Sequence, residues 1–274
     1  MNYKLICMDM DGTLLNDEKK ISQRSLEAIK EAQSMGVKTV ISTGRIFNSA
    51  CYYSDIIGSD SPVIALNGAY VGFGNNNQVL YAQYLGISSC MEICAALRKF
   101  NIVPHFYTKD TIYTGEIIYT SLSYLKGNKQ LPPKRKVNIV KVDDWDGLFK
   151  EQPLIVKALA VDKDREKIKK AKEYISSLDK YEIVSSFESS FEIMPKETSK
   201  GMAVKRVCEY YNIDRSQVIA FGDNENDRSM IEFAGLGVAM ENGDQIAKAA
   251  AGYITGSNND DGVAAVIEKY VINR

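Results

Sequence analysis

Short strand-like runs punctuate the N-terminal part of the chain: YKLICMD from Tyr3, which shows no polar alternation, VKTVIS from Val37 and SPVIALNGA from Ser61. A strand that is apolar on both faces must be covered on both, the condition of a central strand in a parallel sheet. Between the first two runs lies SQRSLEAIKEAQSMG, which predicts a helix. Ser22 suits the N-cap, Leu26, Ile29 and Met35 fall near one face, and Gly36 closes it. A second helical stretch follows TGR. Strands alternating with helices over short connections predict an α/β fold, a Rossmann-like three-layer core on a parallel sheet.

That rhythm then breaks. AYVGFGNNNQVLYAQYL predicts a β-hairpin turning at residues 74–77. Helix–strand–strand then occurs twice, near 88–115 and 164–194, which is the pattern of a separate α+β unit. Between the two repeats, YLKGNKQLPPKRKV is basic and Pro-containing and is expected to be a solvated loop. From Lys200 the α/β rhythm returns. The expected organisation is therefore a core from residues 1–82 and 190–274, with an α+β domain of 83–189 inserted into it.

The composition narrows the function classes. Of 274 residues, 34 are Lys or Arg and 35 are Asp or Glu, so the net charge is −1. That balance does not call for nucleic acid or an anionic membrane as partner. The first residues hold too short an apolar stretch for a signal peptide, and no later run reaches membrane-spanning length. A cytoplasmic protein is expected, monomeric or weakly homo-oligomeric, acting on a small molecule. Cys7, Cys51, Cys90, Cys94 and Cys208 are scattered, and no second pair accompanies Cys90 and Cys94 at zinc spacing, so reduced thiols are expected. The single histidine, His105, lies in the strand-like IVPHFYT, where packing or an edge position is expected rather than catalysis.

Four polar clusters follow apolar strands or open helices. They are Asp9-Met10-Asp11-Gly12-Thr13, Thr43-Gly44-Arg45, Lys200-Gly201, and Gly222-Asp223-Asn224-Glu225-Asn226-Asp227. In an open parallel sheet, ligands bind in the crevice beyond the carboxyl ends of the strands. Asp9, Asp11, Asp223 and Asp227 gathered there would repel one another, and a hard divalent cation resolves the repulsion. Carboxylate oxygens, a backbone carbonyl and water suit Mg²⁺ and leave room for a phosphate oxygen. Thr43 can donate to an anion, Lys200 can neutralise one, and Gly44 permits close approach. A metal, phosphate donors and a spare carboxylate are the equipment of phosphoryl transfer. Each cluster alone is ordinary turn or cap chemistry; their order and placement carry the inference.

DMDGTLL, STGR, SKG and GDNENDRSM, in this order, resemble the four motifs of the haloacid dehalogenase superfamily. LNGA, AMENG, TGSNNDDGVA and the inserted α+β unit resemble its Cof-type subfamily, whose insert is a type IIB cap that sets substrate specificity. Two departures stand out: Glu197 where a Gly is expected, and the Glu241–Asn242–Gly243 stretch in place of Gly-Asn-Ala. The resemblance implies a Mg²⁺-dependent phosphatase of small phosphorylated metabolites, often sugar phosphates. By it, Asp9 is the nucleophile that becomes an aspartyl-phosphate, and Asp11 is the general acid and then base, its backbone carbonyl binding the metal. Asp223 ligates Mg²⁺ directly, Asp227 directly or through water, with Asn226 nearby. Thr43 and Lys200 hold phosphoryl oxygens, and Arg45, Asn67 and Asn258 are further candidates for substrate or phosphate contact. The cap should close over the crevice, with residues 185–190 and 105–107 as candidate contacts to the leaving group. The rival readings are a phosphomutase on the same scaffold and a non-enzymatic phospho-acceptor of the receiver kind.

Overall fold

The computed structural model describes residues 3–76 and 78–273. They form two compact units. The first comprises Met1–Arg45, Ala50–Tyr81 and Ser199–Arg274, and the second Ile46–Ser49 and Ala82–Thr198.

The first unit is built on a five-stranded sheet. Its strands run in the order Tyr253–Thr255, Leu236–Met240, Val218–Gly222, Leu5–Met8 and Lys38–Ile41, and every neighbouring pair is parallel. Leu5–Met8 is central because all four of its residues are apolar and fully covered. Leu5, Cys7, Val40, Val218 and Ala220 pack against Val204, Val207 and Cys208 of the helix Lys200–Tyr211. Each such Leu or Val side chain contributes about 1.5–3 kcal/mol of burial. The helix Gln23–Ser34 starts where expected, since the Ser22 side chain accepts from the Ser25 N–H. Ser25, Ala28, Ile29 and Ala32 form its buried face. Met35, expected on that face, is the C-cap residue and is exposed.

One strand departs from the parallel expectation. Val63–Ala65 pairs antiparallel with Tyr70–Gly72 in a separate three-stranded sheet completed by Val79–Ala82; a single bridge between Ser42 and Ile64 links it to the parallel direction. The cause is a reversal at Leu66, Asn67 and Gly68, whose φ values are 52°, 56° and 95°. Three successive left-handed residues turn the chain back on itself. Asn77, in the expected hairpin turn, lies outside the described residues.

The second unit has a six-stranded sheet in the order Tyr181–Phe187, Ser190–Pro195, Lys157–Val161, His105–Tyr107, Thr111–Thr114 and Asn138–Lys141. Ser190–Pro195 pairs antiparallel with both of its neighbours, so residues 190–198 belong to this unit rather than to the core. Phe106 meets Trp145 and Phe149 edge-on in its core. Further elements lie between the two helix–strand–strand repeats, among them the helix Tyr119–Gly127, the strand Asn138–Lys141 and the helix Trp145–Lys150. The segment expected as a solvated loop is thus partly helical, and Arg135 within it is buried. The Asn128 amide binds both the N–H and the C=O of Val137, which ties the helix end to the sheet. His105 sits inside the sheet and is fully buried, its Nδ1 3.1 Å from Val103 O and its Nε2 3.2 Å from Ser121 Oγ. All five cysteines are buried and unpaired by disulfides. Among the described residues, no helix is long and apolar enough to cross a membrane.

Candidate active site

The ends of the two central strands bring the acidic residues together. Met8 lies opposite Phe221 in the parallel register, and the Asp9 N–H continues the ladder to Phe221 O at 3.0 Å. Asp9 and Asp223 therefore leave adjacent strands within a residue of each other. Lys200 enters from the first turn of its helix, which Ser199 caps through the Met202 N–H. Its ammonium donates to Asp9 Oδ1 at 2.6 Å and to Asp227 Oδ1 at 2.5 Å. The other Asp227 oxygen accepts from the Asp223 and Asn224 N–H groups at 3.0 and 3.1 Å. Thr13 Oγ1 donates to Asp223 Oδ1 at 2.6 Å. One carboxylate oxygen from each of Asp9, Asp223 and Asp227 lies within 4.8 Å of the others.

Lys200 and Asp227 have no solvent exposure, and Asp9 is 6% exposed. Burial and the Asp227 charge push the Asp9 carboxyl well above the usual range, against the pull of Lys200. Burial and Asp227 likewise push Asp223 up to about 6, opposed by Thr13 and Lys200. Lys200 is raised despite its burial, because Asp227 and Asp9 both hold its proton. Three carboxylates face one ammonium here, so full ionisation leaves two negative charges in excess.

Asp11 stands apart from this group. Arg45 grips its carboxylate with a fork, Nε to Oδ2 and Nη2 to Oδ1, both at 2.7 Å, and Lys19 adds a bond of 3.0 Å to Oδ1. Burial alone would raise Asp11, but the two cations bring it down to about 2. Arg45, expected at substrate or phosphate, is thus engaged with Asp11 and lies over the Tyr53 ring. The backbone turn after Asp11 requires Gly12, at φ +86°, where a Cβ would lie 2.5 Å from Asp223 Oδ2.

The remaining expected residues divide into two places. Thr43, Gly44, Asn67 and Asn226 come together: the Asn67 N–H donates to Thr43 O at 3.0 Å, and Asn226 Nδ2 donates to Asn67 Oδ1 at 3.1 Å. A Cβ on Gly44 would sit 2.9 Å from Asn67 Oδ1. Thr43 is buried, with its hydroxyl accepting from the Arg45 N–H. Asn258, by contrast, is spent on the loop after Asp11, donating to Leu15 O at 3.0 Å and Asp17 Oδ1 at 3.3 Å.

The haloacid dehalogenase-like hydrolase family model matches residues 6–267. The chain belongs to this family. It is 32% identical over 285 residues to a 5-amino-6-(5-phospho-D-ribitylamino)uracil phosphatase of Bacillus subtilis, with 97% of each chain covered. It is 28% identical over 276 residues to a pyridoxal phosphate phosphatase of Escherichia coli, covering 99% of this chain and 100% of that one. Among solved structures, a haloacid dehalogenase-like hydrolase of Bacillus subtilis superposes with a TM-score of 0.85 at 27% identity, over 98% of this chain and 100% of that one.

As a haloacid dehalogenase-like hydrolase of the Cof type, the chain is an enzyme, and its acidic group can be tested against the divalent cation that the family implies. The donors are hard carboxylate oxygens, they converge, and their excess charge matches a divalent ion; they fit Mg²⁺. Sequence reasoning missed Thr13 as the partner of Asp223 and Lys19 as the second cation on Asp11. Thr13 was visible in DMDGT as a hydroxyl beside the cluster. Lys19 carried no signal, because its reach depends on a turn in which it adopts φ 59°.

Proposed function

We propose that this hydrolase is a Mg²⁺-dependent phosphatase of small phosphorylated metabolites, sugar phosphates among them, working in the cytoplasm. The observation that carries the reading is the convergence of Asp9, Asp223 and Asp227 on Lys200 with two negative charges in excess. The two similar phosphatases named above act on a ribityl phosphate and on pyridoxal phosphate, both phosphomonoesters, which supports the class. When bound, Mg²⁺ would be held by Asp9, Asp223, Asp227 and the Asp11 carbonyl, and would supply charge neutralisation for the phosphoryl group.

In the first step an Asp9 oxygen attacks phosphorus and the ester P–O bond breaks. Asp11, ionised at rest by Arg45 and Lys19, takes up a proton from solvent as the substrate enters and gives it to the departing alcohol oxygen. In the second step Asp11 takes a proton from water, the water oxygen attacks the aspartyl-phosphate, and inorganic phosphate leaves with Asp9 regenerated. Lys200 keeps Asp9 oriented and neutralises phosphoryl oxygens, to which the Thr43 hydroxyl donates; Gly44, Asn67 and Asn226 lie beside Thr43. The bidentate Arg45 contact orients the Asp11 carboxylate before substrate arrives. Every one of these groups addresses the phosphoryl end of a substrate. Choice of leaving group is therefore assigned to the inserted unit, acting as a cap. The test is phosphate release from a panel of phosphorylated metabolites, with EDTA and after Mg²⁺ is restored. Release that needs Mg²⁺ supports the reading; full activity after rigorous chelation contradicts it. Isomerisation of a hexose or pentose phosphate without phosphate release would favour a mutase.

A further inference from the structure

The GSNND and ENG stretches after the last two strands of the parallel sheet take no part in the chemistry above, yet their side chains bind backbone at the catalytic loop. Asn242 Nδ2 donates to Gly12 O at 2.8 Å, and Gly12 directly follows Asp11. Asn242 Oδ1 accepts from the Asn258 N–H at 2.9 Å. The Asn258 amide in turn donates to Leu15 O, at the far end of the same loop. The turn carrying Asn242 is itself fastened to the opposite side of the acidic group. The Asp244 N–H donates to Asp223 O at 2.8 Å, and a Cβ on Gly243 would lie 2.9 Å from that same oxygen.

A single short turn thus touches Gly12 O with its side chain and Asp223 O with its backbone. We propose that Asn242 and Asn258 are positioning residues: their relay fixes the distance from the Asp11 backbone to Asp223, and so the width of the cation and phosphoryl site. What that width serves rests on the phosphatase reading; the relay itself rests on the bonds just described. Asn242 is exposed and Asn258 partly so, so neither supports the core. Their loss should alter the site while leaving the fold intact. Residues that orient ligands from behind are typically worth about 10- to 100-fold in metal affinity or activity. The exposed relay belongs at the low end of that range.

The test uses Asn242→Asp, Asn258→Ala and the double variant Asn242→Ala/Asn258→Ala beside Asn242→Ala. Asn242→Asp keeps an acceptor for the Asn258 N–H but has no donor for Gly12 O. The Mg²⁺ dissociation constant is read from the rise of melting temperature with Mg²⁺, and kcat and KM from phosphate release. For each single variant the Mg²⁺ constant should rise and kcat should fall about tenfold, with KM and the melting temperature in EDTA unchanged. The double variant should be no worse than Asn242→Ala, because the two residues act as one unit. Mg²⁺ affinity and kcat within about twofold of wild type in Asn242→Asp would overturn the relay, as would losses that multiply in the double variant. If the wild type releases no phosphate while Asn242→Asp still weakens Mg²⁺ tenfold, the relay stands and the phosphatase reading fails. If the wild type is active and the variants bind Mg²⁺ normally, the reverse holds. A wild type whose melting temperature Mg²⁺ does not move overturns the metal reading and the relay together.

Discussion

Each unit of this molecule buries a lysine against a carboxylate, and the two pairs differ in kind. In the inserted unit, Lys157 is 2% exposed, its ammonium lies 2.5 Å from Glu192 Oε1 on a nearby strand, and it rests over the Tyr107 ring. In the core, Lys200 is fully buried and meets both Asp9 and Asp227, with Asp223 beside them. Among the described residues, the acidic grouping able to hold a metal occurs in the core alone. A buried pair whose charges balance can be a packing solution that well-fitted apolar residues would equal or better. A buried group with surplus negative charge is not a packing solution, because the surplus costs stability until a cation arrives. The sign of the imbalance, rather than burial itself, marks the functional site.

The sharpest break in the comparison is at Asp9. Asp9→Asn keeps the shape but removes the proposed nucleophile, so kcat should fall on the order of 10⁴-fold or more, measured as phosphate release at saturating substrate. The two lysines come next. In EDTA, Lys200→Met leaves several buried carboxylates facing one another and should lower unfolding free energy by about 3–5 kcal/mol. Lys157→Met removes the buried ammonium from the partly exposed Glu192 and should cost about 1–3 kcal/mol. Compared with the wild type at the same Mg²⁺, the first loss should shrink in saturating Mg²⁺ and the second should not, as read from urea melts. Equal rescue, or none for Lys200→Met, would erase the distinction between the pairs. In the wild type, Mg²⁺ at a hundred times its dissociation constant should add about 2.7 kcal/mol of stability over EDTA.

The smallest effect concerns His105. Burial lowers its pKa from the ordinary value, so the folded protein favours the neutral ring. Below about pH 6.5 the unfolded chain binds a proton that the folded chain refuses. Stability linked to His105 is therefore complete above that pH and is lost as pH falls through it, by at most about 1.4 kcal/mol per unit. The difference in stability between wild type and His105→Gln, measured from pH 7.5 down to pH 5, should carry this slope. Turnover of His105→Gln should stay within about a hundredfold of wild type, since the proposed acid is Asp11.

The core was largely legible because its signals are local. Apolar runs such as LICM mark covered strands, Ser22 and Ser199 cap the helices they precede, and the aspartates follow directly on the strands that place them. What stayed hidden depends on distant partners. The antiparallel turn of Val63–Ala65 arises from Leu66 in a left-handed conformation that leucine rarely adopts, so composition could not announce it. The helix Tyr119–Gly127 and the strand Asn138–Lys141 were missed because they are short and carry no clear apolar period. They are held by tertiary contacts such as the Asn128 amide on Val137. The engagement of Arg45 with Asp11 spans 34 positions, and that of Asn258 with the Leu15 carbonyl spans 243, so neither could be read from spacing.

The central claim is that Asp9, held by Lys200 in the surplus-charge site, accepts the phosphoryl group. The most direct measurement uses Asp11→Asn with p-nitrophenyl phosphate and Mg²⁺. Nitrophenolate departs without a proton, so phosphorylation of Asp9 should proceed while hydrolysis lacks its base. A burst of about one nitrophenolate per active site is expected, followed by slow turnover, and mass spectrometry of the quenched enzyme should locate the phosphoryl group on Asp9. Phosphate found on another residue, or an Asp9→Asn variant phosphorylated as readily as the wild type, would contradict the account.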